Sequence, residues 1–288
     1  MAVFCVADLD SSDNTVEVIA SQFFGKKVTL HSIEIGKDPH VSFRRVIDDK
    51  CGTSFSAILA DLDSNYKVSN SDKIRSGLSR VVDCGSTIST LKKGDNFSHI
   101  LITSHECSFQ EGNDEGLPFS DRKSDSFESS VVVGHNLVSK LSGGSLYAYK
   151  VPDLWRSQDW ERNTIASGFR VQGQLGNMIN PGAPGFCYTF YPTRAGAQRW
   201  SRPYIGIAGD CAEAAYILRP VLKENCKDDI PTDYALMCEI NCGGTVGSLA
   251  IGYDNCCNTP SEEDWAKIYI PSYERDKIFV FGMGSGDE

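Results

Sequence analysis

The sequence predicts an all-β fold assembled from repeated four-stranded units, and three observations carry that expectation. Apolar, β-branched and aromatic residues alternate with polar ones in short runs, the period-2 signature of strands. Gly, Asn, Asp and Pro bound those runs where turns are required. One element also recurs along the chain: an apolar strand running into Asp-x-Asp, a polar loop, then a second strand ending in a polar tripeptide. No convincing amphipathic helical pattern competes with this reading.

The clearest copy of the element is Val3-Phe4-Cys5-Val6-Ala7-Asp8-Leu9-Asp10, the loop Ser11 to Thr15, then Val16 to Gln22. Residues 27–36 and 43–49 supply two further strands and complete a unit. The second unit starts at Phe55 and runs into Ala60-Asp61-Leu62-Asp63. After a long polar insertion it resumes at His99 to Glu106, with outer strands at Ser145 to Lys150 and Trp160 to Ala166. A more divergent third unit takes Phe186 to Phe190, Tyr204 to Asp210, Ala215 to Leu218 and Tyr234 to Cys238. The last takes Gly247 to Asn255, Ala266 to Tyr273 and Lys277 to Phe281. Such units repeated radially make a β-propeller, so the expectation is one propeller domain over residues 1–288 with two loop insertions, 64–97 and 107–142.

Counting copies gives three full units and three strands of a fourth, fewer than the usual 4 to 8 complete blades. Either an insertion hides another blade or the chain is an N-terminally shortened propeller. An incomplete blade leaves a sheet edge to be covered, by pairing with a second copy or by strands from an insertion. The insertions are rich in Ser, Asp, Lys, Gly and Asn, and 108–130 is expected to be mobile.

Composition narrows the function classes. A net charge of −10 with no Lys/Arg cluster argues against sequence-independent nucleic-acid binding. No apolar run reaches the length of a membrane span. Met1 to Asp8 lacks the basic segment of a signal peptide, so a cytoplasmic location is expected. Eleven cysteines in 288 residues are too few for a disulfide scaffold. Cys238 with Cys242 and Cys256 with Cys257 lack the spacing and the histidines of a zinc site.

At these residues the chain resembles the VCBS/FG-GAP-type β-propeller family, whose repeats read apolar strand, Asp-x-Asp-Gly-Asp-Gly loop, strand. It is closer to an uncharacterised subgroup with four blocks, here Ser21 to Gly25, Val46 to Asp49, Thr103-Ser104-His105-Glu106 and Gly244-Thr245-Val246-Gly247. The resemblance implies that the acidic loop holds calcium, with Asp8, Asp10 and Asp13 as ligands. The loop lacks the family's glycines, and the alternative is a solvated turn whose aspartates cap backbone amides.

Blade topology puts the acidic loops on one face. The second-to-third and fourth-to-first connections then share the opposite rim, a common place for ligands. Gln22, Asp48, Asp49, His105, Glu106, Asp210 and Tyr273 fall there. The leading expectation is a binding or interaction module that engages a small molecule or protein at this rim and requires no cofactor. The rival is a lyase or hydrolase acting on a sugar-like or other polar molecule, with His105 and Glu106 as the catalytic pair. His31, His40, His99 and His135 have no paired spacing and read as ordinary histidines. The segment Pro152 to Trp160 suits either stacking of a ligand or anchoring of an outer strand, the latter favoured.

Overall fold

The computed structural model describes residues 2–10, 13–63, 91–92, 97–105, 144–169, 182–194, 202–221, 231–253 and 264–284. The calls on Glu106, on most of the insertions 64–97 and 107–142, on the mobility of 108–130 and on Cys256 and Cys257 lie outside them.

The described chain is all-β and forms four sheets. The first contains β1 (Ala2–Asp8), β2 (Thr15–Gln22), β3 (Lys27–Glu34) and β4 (His40–Asp48) as an antiparallel meander. The second contains β5 (Ser54–Ala60), β7 (His99–Ser104), β8 (Gly144–Lys150) and β9 (Glu161–Phe169). The third contains β10 (Cys187–Phe190), β11 (Tyr204–Ala208), β12 (Ala214–Pro220) and β13 (Tyr234–Asn241), and the fourth β14 (Ala250–Tyr253), β15 (Ala266–Ser272) and β16 (Lys277–Gly282). These are the units read from the sequence, strand for strand. A short strand the sequence did not reveal, β6 (Leu91–Lys92), pairs in parallel with the free edge of β1 through Ala7 and Asp8.

Alternation explains why the sheets stack face to face. Successive side chains of a strand point to opposite faces, so an interior sheet serves two cores. In the second sheet, Ala57, Leu59, Ile100, Ile102, Tyr147 and Tyr149 face the first sheet and pack on Ala7, Ile19, Val28 and Leu30. Their neighbours Ile58, Ala60, Leu101, Leu146 and Ala148 pack on Ile205, Ile207, Tyr216 and Leu218 of the third. Ala208, Ala215 and Ile217 join Leu249, Ala266, Ile268 and Ile270 in the last core. Each fully buried aliphatic side chain contributes roughly 1.5–3 kcal/mol. At Ile217/Leu218 the register shifts, so that Cys238 pairs with Ile217 and Leu236 with Leu218. Met237 is thereby extra, and Leu236 packs on the second core while Cys238 packs on the third.

The two end sheets keep one face outside this stack. Phe4, Val41 and Val46 are exposed on the first, Ile278 and Val280 on the last. Trp155 and Trp160 are buried in the core between the first and second sheets, and Trp160 Nε1 donates to the Trp155 carbonyl at 3.2 Å. Of the two readings for this segment, strand anchoring is the one the packing bears out. No helix among the described residues is long and apolar enough to cross a membrane.

Candidate functional site

Antiparallel pairing sets which loops share an end. The start of β5 pairs with the end of β7 through Ser54 and Ser104. His105, the next residue, therefore emerges beside the connection entering β5 and donates its backbone N–H to the Thr53 carbonyl at 2.9 Å. The same arrangement recurs one sheet on. Beyond β11, Gly185 N–H donates to the Ala208 carbonyl, and Asp210 exchanges backbone hydrogen bonds with Val246 at the entry to the fourth sheet. Thr103 Oγ1 donates to the Gly185 carbonyl at 2.7 Å and ties the second sheet to the third.

Asp210 sits in the tight β11–β12 turn with a left-handed φ of 52°, a conformation that aspartate tolerates better than most residues. Gly209 and Asp210 carbonyls accept from Ala212 and Glu213 to close the turn. The result aims the Asp210 carboxylate at the neighbouring sheet, where Oδ2 lies 4.0 Å from His105 Nε2. That is an approach rather than a hydrogen bond.

The His105 ring is held by packing. It stacks on Phe55 at 5.5 Å with planes 16° apart and meets the edge of Phe23 at 5.7 Å. Phe55 in turn contacts Phe186 at 4.9 Å. Gly182 closes the fourth side: a Cβ there would lie 1.9 Å from Nδ1, so only glycine fits. The His105 side chain is 8% exposed, and neither ring nitrogen has a hydrogen-bond partner. Burial pulls its pKa down to about 4, with the Pro184 backbone working weakly the other way, so the imidazole is neutral at neutral pH. Burial pushes Asp210 up to about 6; the Cys211 thiol counters this and Glu274 adds to it.

Other rim candidates are placed differently. Asp48 is committed to joining the first two sheets, its Oδ2 accepting from Tyr149 at 2.7 Å and from Arg162 at 2.8 Å. Gln22 donates to Thr29 Oγ1 within its own sheet. Asp49 is exposed, and Tyr273 stands 75% exposed on the 3-10 turn after β15. Beside it, Glu274 accepts from the N–H and hydroxyl of Thr245 at 2.5 and 2.6 Å. Sequence reasoning grouped His105 and Asp210 on one rim but paired His105 with Glu106. It missed Phe23, Phe55 and Gly182, which carry no chemical signature beyond apolar alternation and a turn glycine.

The calcium reading finds a loop already provided with partners. Asp13 Oδ1 accepts from Thr15 N–H at 2.9 Å and Thr15 Oγ1 at 2.6 Å, and its Oδ2 faces Arg156 at 3.2 Å. The buried Glu17 carboxylate accepts from Leu9 N–H at 2.8 Å and from the Thr15 hydroxyl at 3.0 Å. Asp8 and Asp10 lie on the same strand end. Among the described residues no group of three or more His, Cys, Asp or Glu side chains could hold a metal ion. An arginine beside Asp13 and an amide-capping role do not fit a hard-cation cage.

His105 and Asp210 thus form the candidate site: a neutral imidazole and a carboxyl of raised pKa, in an aromatic setting where loops of successive sheets meet. Comparison with known proteins adds no relative, since no protein-family model matches the chain and no curated protein is significantly similar to it.

Proposed function

We propose that the chain is a β-propeller-type binding module whose rim, centred on His105 and Asp210, receives a small polar ligand. The observation that carries this reading is His105: a buried imidazole with both nitrogens unpaired, held rigidly by Phe55 and Phe23 and facing a carboxylate from the next sheet. Buried polar groups are normally satisfied, and unsatisfied ones concentrate where a ligand completes them. The four meander sheets stacked in chain order support the propeller part of the reading and suit the VCBS/FG-GAP resemblance.

Soaking crystals of the full chain with a library of small polar fragments tests it. Density against His105 and Asp210, absent in His105→Phe crystals, is the expected result. Fragments that occupy other surfaces while leaving this pair untouched would overturn the reading.

A second reading, a lyase or hydrolase, draws on the same pair. A neutral imidazole and a carboxyl of raised pKa are the displaced titrations that acid–base catalysis uses, with Asp210 in the role first given to Glu106. Turnover of a polar substrate lost in both His105→Gln and Asp210→Asn, with folding retained, would favour it over binding alone.

A further inference from the structure

Resting on that reading of the rim, the class of ligand follows from the charges around the pair. The Asp210 side chain is 17% exposed and sits between loops of three sheets. The groups facing it are His105 from the end of β7, the Cys211 thiol beside it and the Glu274 carboxylate beyond β15. Among the described residues, no lysine or arginine comes within 4.0 Å of it, and the nearest basic group is an imidazole that is uncharged at neutral pH. A largely buried carboxylate without a counter-charge is costly, and such groups are ordinarily paired.

The spacing says what kind of partner is missing. Two acceptors 4.0 Å apart, Nε2 of the imidazole and Oδ2 of the carboxylate, can both be reached by one nitrogen at about 2.9 Å from each. A hydroxyl has a single donor and cannot give a proton to both, whereas a primary ammonium has three donors. An anion would meet Asp210 and Glu274 together. The acidic chain, at −10 overall, also favours approach of cations. A bare divalent ion is poorly suited, because no third ligating side chain stands near the pair among the described residues.

We infer that the His105–Asp210 pocket binds the primary ammonium group of a small organic cation, which donates to both side chains at once.

The test uses the full chain, isotope-labelled, and three fragments of one size: ethanolamine hydrochloride, ethylene glycol and sodium glycolate, against potassium chloride at matched ionic strength. The readout is the amide resonances of Gly209 to Glu213. Fragments this small bind weakly, so titration runs to about 100 mM. Ethanolamine is expected to give a saturable shift at pH 7.5. The shift weakens at least tenfold in Asp210→Asn, whose unchanged remaining spectrum reports intact folding, and weakens again at pH 5, where Asp210 takes up its proton. Ethylene glycol and glycolate give none.

No saturable shift with ethanolamine, or a shift that survives in Asp210→Asn, overturns the inference. So does an equal or larger response to glycol or glycolate, but that outcome leaves the rim as a ligand site and removes only the ammonium class. Fragments bound elsewhere in the soaked crystals would remove the rim itself, so the two failures are distinguishable.

Discussion

The acidic loop of the first sheet and the opposite rim are both rich in titratable side chains, yet they are finished to different degrees. In the loop every oxygen with a known contact has a donor: Glu17 takes Leu9 N–H and the Thr15 hydroxyl, and Asp13 takes Thr15 and Arg156. At the rim, two ring nitrogens and a carboxylate are held 4.0 Å apart and left incomplete. The loop carries the recognisable motif and spends its polar groups on its own backbone. The rim carries no motif and keeps its polar groups available.

The largest effect should come from filling the space that holds His105. Gly182→Ala puts a methyl group into the imidazole and should cost about 3 kcal/mol of stability in urea unfolding. In a His105→Ala background the same change should cost far less. Equal costs in both backgrounds would mean that Gly182 is needed for some other reason.

Next comes the loop. Glu17→Ala leaves the Leu9 N–H and the Thr15 hydroxyl without their acceptor in a fully buried position, at about 2 kcal/mol. A loss below a few tenths would show that the loop is no better satisfied than the rim.

The rim should respond with the opposite sign. Because the folded-state pKa of Asp210 is raised from 3.8 to about 6, its ionisation destabilises the fold, progressively through that window and fully above it. Asp210→Asn should therefore stabilise by about 2 kcal/mol at pH 7 and by nothing below about pH 4. His105 works the other way. Its pKa falls from 6.5 to about 4, so the unfolded chain takes the proton first and stability drops as pH falls through that interval. In the wild type the two trends offset one another, and Asp210→Asn should expose a steeper acid loss. Stability curves of equal slope between pH 4 and 6.5 would contradict both assignments.

The smallest effect concerns the motif itself. Excess calcium or chelator should leave the melting temperature within about 1 °C, and Arg156→Ala should cost no more than about 1 kcal/mol, as exposed ion pairs do. A calcium-dependent rise of several degrees would reverse the contrast between loop and rim.

Strand positions were legible because alternation and turn residues are local properties. Val3 to Asp8, His99 to Ser104 and Ser145 to Lys150 each announce a strand without reference to anything distant. The placement of one loop against another was legible only as topology. That His105 and Asp210 share an end follows from antiparallel pairing, but their facing one another depends on how separate sheets stack. Asp48 illustrates the limit: Tyr149 and Arg162, which claim its carboxylate, lie 101 and 114 residues along the chain. β6 was not visible because two residues are too few to show a period.

Met237 carries a consequence for how this chain can change length. By being one residue too many in β13, it sends Leu236 and Cys238 into different cores although they are two apart. Interior strands therefore obey a parity rule. Between strands any number of residues can be gained or lost, as the long intervals around β7 illustrate. Within β7, β8, β11 or β12 a single added or deleted residue exchanges the contents of two cores at once, and only even steps, or an odd step absorbed in a bulge, preserve both.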